Sequence, residues 1–146
     1  MFESSFFLSF IGFFLVLTPL VFVHEFGHYY AAIKSGVKVE TFSIGFGPEL
    51  LGFNDKKNTR WKFSLIPLGG YVKMKGELIN LNDNSNKNSL EKDSFLKASL
   101  LSRFIIVGSG PLANLLLGLL LITSLYALNG RYISSTIINS VVDSKP

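Results

Sequence analysis

Two long stretches of the chain contain no charged side chain, residues 4–23 and residues 104–130. Each reaches the ~20 residues that an α-helix needs to cross about 30 Å of hydrocarbon. We expect the first helix to cover residues 6–33 and to end before Gly36, a residue type common at helix C-termini. A cleaved signal peptide is the alternative for this stretch, although only Glu3 precedes it where signal peptides carry basic residues. The pattern therefore predicts two transmembrane helices.

The region between these helices shows the two-residue alternation that is typical of β-strands. Residues 37–44 and 61–65 alternate in this way, and residues 71–75 indicate a third short strand. Glycine and proline interrupt the alternation at residues 45–48 and again at residues 67–70. The runs predict a small β-rich insertion that is associated with the membrane.

Two further patterns precede the second helix. Residues 80–89 are rich in asparagine and lack apolar periodicity, which favours a flexible surface loop. From Ser94 onward, the spacing of apolar residues suits an amphipathic helix on the membrane surface that leads into the second transmembrane helix.

Composition and charge agree with a membrane protein and indicate its orientation. Charged residues form 16% of the chain, against about 25% in soluble domains. Twelve basic and seven acidic residues lie between Lys34 and Arg103, inclusive. Because basic segments stay on the cytoplasmic side, we expect this segment in the cytoplasm and both ends of the chain outside. The bases are scattered among acids without an aromatic stacking pattern, so no nucleic-acid partner is expected.

The only two histidines of the chain lie four residues apart, in the sequence His24-Glu25-Phe26-Gly27-His28. Positions i and i+4 of a helix share one face, so both imidazoles can bind a single ion. Catalytic Zn²⁺ takes three protein ligands and one water. Glu25 is the candidate catalytic base, which accepts a proton from that water and passes it to the leaving amine. The pattern predicts Zn²⁺ as cofactor, with His24 and His28 as metal ligands.

A structural role is the alternative, in which these side chains cap or pair at a helix end. Ionisable residues in a membrane-embedded helix are costly, and they usually mark functional sites. Both histidines of the chain also fall in this one pattern. We therefore favour the metal site.

Three further motifs follow the histidines along the chain. They read FSIGFG at residues 42–47, IPLGGYVKM at residues 66–74 and GPLAN at residues 110–114. Together with VHEFGH at residues 23–28, this series resembles the site-2 protease family of intramembrane zinc metalloproteases, most closely the regulator of sigma-E protease type. The resemblance implies regulated intramembrane proteolysis in the bacterial inner membrane. The implied partners are the lipid bilayer and a membrane-anchored protein substrate, such as an anti-sigma factor.

The resemblance also implies roles for residues outside the histidine motif. An intramembrane protease must unwind the helix that it cuts, and an exposed strand edge can hold the unwound segment. Gly45, Phe46 and Gly47 resemble the family's membrane-dipping β-loop and are candidate substrate-binding residues, with an ordinary hairpin turn as the alternative. Asn114 is a further candidate substrate-binding residue, and a hydrogen bond that packs two helices is its alternative.

The resulting organisation is a two-span α-helical membrane protein with a small β-rich insertion. Its expected parts are a first transmembrane helix with the zinc motif (1–33), a β-rich membrane-associated region (34–79), a flexible loop with a juxtamembrane amphipathic helix (80–103), a second transmembrane helix (104–130) and the start of an incomplete PDZ-like domain (131–146).

One zinc ligand is missing from this pattern. The family takes its third ligand from an aspartate within a Leu-Asp-Gly motif in a later helix, and the sequence contains no such motif. We therefore expect the chain to be an amino-terminal portion of a longer enzyme and to be inactive by itself. The alternative is a naturally short, non-catalytic membrane adaptor or inhibitor derived from the same family.

Overall fold

The structure is a computed structural model that describes residues 2–77 and 92–130. Along the chain it contains α1 (Phe2–Lys34), β1 (Val39–Asn54), β2 (Arg60–Met74), a 3₁₀ turn (Phe95–Lys97) and α2 (Leu100–Asn129). Two long helices with a small β-sheet between them were predicted, and the structure confirms that arrangement. The predicted loop at residues 80–89 and the predicted PDZ-like start at residues 131–146 lie outside the described residues.

Both helices are long and apolar enough to cross a membrane, over Phe6–Lys34 and Leu100–Asn129. They leave large apolar side chains exposed, among them Phe7, Leu15 and Leu116. Such continuous apolar surface is unusual in contact with water and suits a lipid environment. α1 continues through Pro19 without a break.

The C-terminus of α1 follows the expected glycine signal. Gly36 adopts a φ of +76°, a conformation that costs other residues free energy. The Val37 amide then donates to the Ala32 carbonyl at 2.9 Å, which satisfies a carbonyl at the end of the helix. The chain therefore turns sharply away from α1 and enters β1 at Val39.

The two strands are longer than predicted, because each one folds back on itself within a single sheet. Residues 39–44 pair with residues 70–74 in antiparallel register, and residues 49–54 pair with residues 60–64 in the same sense. Phe63 pairs with both Ile44 and Leu51, so β1 lies on both sides of the first half of β2. Across the sheet, the segment order is therefore 70–74, 39–44, 60–64 and 49–54.

This register corrects the prediction of three short strands. The glycines at 45–48 do not end β1, and residues 71–74 form the last part of β2 and not a separate strand. Gly45 and Gly47 have φ values of +88° and +86°, which let the chain reverse direction while backbone pairing continues. Alternation of side chains reports single straight strands, so it could not show that one strand would bend back.

The predicted amphipathic helix before α2 is also replaced by a different structure. Only Phe95–Lys97 form a 3₁₀ turn, and α2 begins at Leu100, four residues before the predicted start. The Ser99 hydroxyl caps α2 by accepting the Ser102 amide at 3.1 Å. The apolar residues after Ser94 therefore belong to two elements, the 3₁₀ turn and the first turn of α2. The cap at Ser99 separates these elements, so they do not form one amphipathic helix.

A small core joins all these elements at one end of the helix pair. Buried side chains from the end of α1, from both strands and from α2 meet there, namely Ala31, Ala32, Val37, Val39, Met74 and Ile106. This core fixes the sheet against the end of α1 and places α2 beside the histidine motif.

Candidate active site

α1 and α2 run antiparallel and come closest beside the histidine motif. A methyl group on Gly27 would lie 2.5 Å from the Ser109 carbonyl oxygen and 2.9 Å from Ala113 Cβ. Only a residue without a side chain permits this approach, which is the usual way that helices pack tightly in lipid. The close contact brings α2 within hydrogen-bonding distance of both imidazoles.

The two imidazoles face each other. His24 Nε2 lies 3.2 Å from His28 Nε2, as the spacing of four residues on a helix predicts. Both side chains are partly buried between α1 and its neighbours.

His28 is oriented by the backbone of α2. Its Nδ1 donates a hydrogen bond to the Ile106 carbonyl oxygen at 2.7 Å. A carbonyl can only accept, so Nδ1 carries the proton and Nε2 presents a lone pair. Metal-bound histidines are commonly held in this way, because the second nitrogen fixes both the ring and its tautomer.

The geometry of the imidazoles fits two ligands of one tetrahedral Zn²⁺. Two nitrogens that each lie 2.0–2.1 Å from such an ion are separated by about 3.3 Å, close to the 3.2 Å found here. Within the described ranges 2–77 and 92–130, no third histidine, cysteine or carboxylate joins His24 and His28 in a group that could hold a metal. The geometry of His24 and His28 therefore fits two ligands of a metal site and does not complete one.

Glu25 lies beside both histidines on the side of α1 that faces the sheet. A methyl group on Gly70 would approach Glu25 Cγ at 3.0 Å and Val21 Cγ1 at 3.1 Å, so the strand passes directly over this part of the helix. Together with His24, Glu25 lines a cavity of about 450 Å³ between α1, α2 and β2. A carboxylate in this position can exchange a proton with a water or peptide group in the cavity.

Two of the predicted substrate-binding residues line the same cavity. Phe46 extends from the reversal in β1, and Asn114 extends from α2. The Phe46 ring lies against Gly69, because a methyl group on Gly69 would approach Phe46 Cε2 at 2.5 Å. The ring also stacks on that of Tyr71, with 6.3 Å between the two ring centroids. Phe46 thus forms one wall of a space that also contains the candidate base and one candidate metal ligand.

The structure places Gly45 and Gly47 outside that lining. A methyl group on Gly45 would lie 2.8 Å from the Ile66 carbonyl oxygen and 2.9 Å from the Ser64 carbonyl oxygen. Gly45 therefore allows the close approach of the two strands. Gly47, with its positive φ, allows the reversal that projects Phe46.

Several residues of this site were not identified as functional from the sequence. The Ile106 carbonyl orients His28, and Gly110 lies directly beneath the His28 ring. Gly69 and Gly70 line the cavity, although the sequence indicated only a role in shaping the chain. A backbone carbonyl has no sequence signal, whereas small residues such as Gly110 and Ala113 in an apolar helix are a signal of close helix packing.

Known proteins provide independent information on the chain. The statistical model of peptidase family M50 matches residues 12–145. A protein of Rickettsia conorii is 50% identical over 139 residues, which are 95% of this chain and 38% of that relative. A protein of Agrobacterium fabrum is 44% identical over 137 residues, which cover 90% of this chain and 36% of that relative. A protein of Mesorhizobium japonicum is 41% identical over 143 residues, which cover 93% of this chain and 39% of that relative.

All three relatives bear the name "putative zinc metalloprotease". The name agrees with the ligand geometry of His24 and His28. The chain spans less than two fifths of the length of these curated relatives.

Proposed function

Because this chain belongs to peptidase family M50, we propose that it supplies two zinc ligands and the catalytic base of an intramembrane protease. The observation that carries the proposal is the 3.2 Å separation of His24 Nε2 and His28 Nε2 beside Glu25, inside an apolar helix. Paired imidazoles in such a helix are costly unless they bind something.

The site lies at a depth that suits cleavage of a membrane-anchored segment. His28 precedes Lys34 by six residues, and Gly110 follows Arg103 by seven. At 1.5 Å per residue, both helices place the site about 10 Å inside the charged boundary of the helix pair. The substrate class is therefore a protein with a membrane anchor, for which an anti-sigma factor is the example that the family resemblance supplies.

A bound Zn²⁺ would polarise the scissile carbonyl and lower the pKa of a water towards 7. His24 and His28 would hold it through Nε2, and Ile106 keeps the His28 ring in place. Glu25 accepts the proton of the attacking water and delivers it to the leaving nitrogen of the cleaved peptide bond. The third protein ligand comes from a part of the enzyme outside the described residues.

The sheet offers a means of holding the substrate in an extended form. Within the described residues, segment 70–74 pairs on one side only, with residues 39–44. This edge begins at Gly70, which lines the cavity beside Glu25. A peptide that adds to this edge would be held by backbone hydrogen bonds, and Phe46 would contact its side chains.

Charge and the family support a proposed orientation and location. We place the chain in the bacterial inner membrane with the region between α1 and α2 in the cytoplasm, since that region carries most of the basic residues.

The deciding experiment replaces Glu25 by Gln in the full-length gene product. Cleavage of a membrane-anchored reporter should fall by about 10²–10⁴-fold, because proton transfer contributes that much to the rate. Zinc content should stay unchanged, since Glu25 is not assigned as a ligand. Glu49→Gln is the matched control, because Glu49 pairs with Arg60 in the half of the sheet farthest from segment 70–74 and outside the cavity lining, and its loss should leave cleavage intact.

The results separate the protease from a non-catalytic adaptor. Normal cleavage by the Glu25→Gln variant would contradict the assignment of the base. A full-length wild-type protein that binds its membrane partner but never cleaves it would contradict the protease function and support the adaptor.

A further inference from the structure

Asn114 contacts the ring nitrogen of His24 that faces away from His28. Asn114 Nδ2 lies 3.4 Å from His24 Nδ1, at the long end of the range for a hydrogen bond. Asn114 Oδ1 is buried, and no group among the described residues donates a hydrogen bond to it. An amide presents a donor or an acceptor to the same neighbour after a 180° rotation, with little change in shape. The side chain can therefore serve His24 in two ways.

The first arrangement is a continuous chain of hydrogen bonds without metal. His28 Nδ1 carries a proton because it donates to Ile106, so His28 Nε2 is an acceptor. The 3.2 Å contact then needs a proton on His24 Nε2. This leaves a lone pair on His24 Nδ1, which accepts from Asn114 Nδ2. Each group therefore donates to the next one in the series Asn114, His24, His28 and Ile106.

The second arrangement is required for a metal. Both Nε2 atoms must then present lone pairs to the ion, so the proton of neutral His24 must reside on Nδ1. Asn114 Nδ2 opposes that tautomer, because two donors would face each other. Rotation of the amide places Oδ1 opposite Nδ1–H, and the oxygen that lacks a partner gains one.

We infer that Asn114 is a positioning residue whose amide rotation couples the tautomer of His24 to metal binding. His24 gives up the proton at Nε2 and takes one up at Nδ1, so its net charge does not change. The inference rests on the proposed zinc site, but the arrangement without metal can be tested separately. It gives Asn114 a role through His24 that differs from direct contact with substrate.

The test is ring-nitrogen NMR of the 146-residue chain, labelled with ¹⁵N-histidine, in lipid at about pH 8.5, where imidazole is ordinarily neutral. The chain has two histidines, so only four ring nitrogens appear. Without metal, we expect the proton on Nε2 of His24 and on Nδ1 of His28. With saturating Zn²⁺ alone, the His24 proton should move to Nδ1, and His28 should keep its tautomer.

Asn114→Leu removes both hydrogen-bonding groups and keeps the branching of the side chain. In this variant the fraction of His24 that carries its proton on Nδ1 without metal should rise, because only the contact with His28 Nε2 then opposes that tautomer. The zinc dissociation constant should rise about 10–100-fold. His28 is the internal control for folding, since the backbone sets its tautomer, and Asn114→Ala replaces the variant if the His28 signal is lost. Leu115→Ala, on an exposed neighbour, should behave as the wild type.

Each outcome bears on one of the two proposals. A wild-type His24 that carries its proton on Nδ1 without metal would overturn the coupling, as would an Asn114→Leu variant with wild-type tautomers and zinc affinity. If Zn²⁺ changes neither histidine of this chain while Asn114→Leu still alters the tautomer of His24, the coupling to metal is overturned and the control of the tautomer by Asn114 stands. The Glu25→Gln measurement on the full-length product tests the zinc protease separately.

Discussion

The ring of His28 lies directly over Gly110. A methyl group at position 110 would overlap Nε2, and it would approach Cε1 at 2.7 Å and Cδ2 at 2.8 Å. The candidate metal ligand and the glycine are on different helices, so the absence of a side chain on α2 provides the space in which the ligand of α1 is oriented.

This contact predicts that Gly110→Ala displaces the His28 ring and lowers zinc affinity by about tenfold or more, as loss of a ligand's support does. Metal analysis and a zinc titration of the full-length product would measure it. Gly108→Ala is the matched control, because a methyl group there meets no atom of the described residues within 4 Å. Alanine in place of glycine favours a helix by about 1 kcal/mol, so the control should fold normally. Equal zinc affinity in both variants would contradict the role of Gly110.

The position of Phe46 in the cavity wall predicts that its replacement lowers cleavage and leaves zinc affinity unchanged. Replacement by Ala removes one wall of the cavity that Glu25 and His24 line. Cleavage of a membrane-anchored reporter should fall on the order of tenfold or more, because misplaced substrate reacts slowly. Leu51→Ala is the control on the same strand, since Leu51 is 72% exposed and lies off the cavity. An equal loss in both variants would show that the defect is general and not one of substrate position.

Asp55 predicts a pH dependence in the turn between the strands. Burial acts to raise the pKa of its carboxyl, but hydrogen bonds from the Thr59 and Lys57 amides, Trp61 and Tyr29 outweigh it and lower the pKa. The stabilisation is therefore fully present above about pH 4, the ordinary value for Asp, and is lost as the pH falls through the lower folded pKa.

Hydrogen exchange at the Lys57 and Thr59 amides would measure this effect. Their protection, relative to intrinsic rates, should fall on acidification in the wild type and be low at every pH in Asp55→Ala. The lost bonds are worth about 1–3 kcal/mol locally. Asp55→Asn is the control that keeps an acceptor oxygen without a charge, so its protection should not depend on pH over this range. Protection that is unchanged by Asp55→Ala would contradict the prediction.

The expected orientation predicts the outcome of cysteine labelling, for which the chain is suited because it contains no cysteine. Lys56→Cys, in the exposed turn between the strands, should react with an impermeant maleimide only after the membrane is opened. Asn129→Cys, at the end of α2, should react in intact spheroplasts. Labelling in the opposite pattern would reverse the orientation and place the basic region outside.

The helices and the juxtaposition of His24 and His28 could be predicted because their information is local. An apolar stretch of sufficient length specifies a helix in lipid wherever it packs, and two histidines four residues apart share one helix face by geometry alone. The bent strands could not be predicted, because side-chain alternation does not report that residues 44 and 51 pair with the same neighbour.

The sequence by itself determined two apolar helices, a basic region between them and the His24–His28 pair with Glu25 beside it. Only the tertiary structure decided what surrounds that pair. Ile106 lies 78 residues from His28, and Asn114 lies 90 residues from His24. Their contacts exist because Gly27 lets α2 approach α1 at one particular register. Close packing of two helices depends on the surfaces of both helices together. The sequence pattern of either helix alone therefore does not predict which residues come into contact.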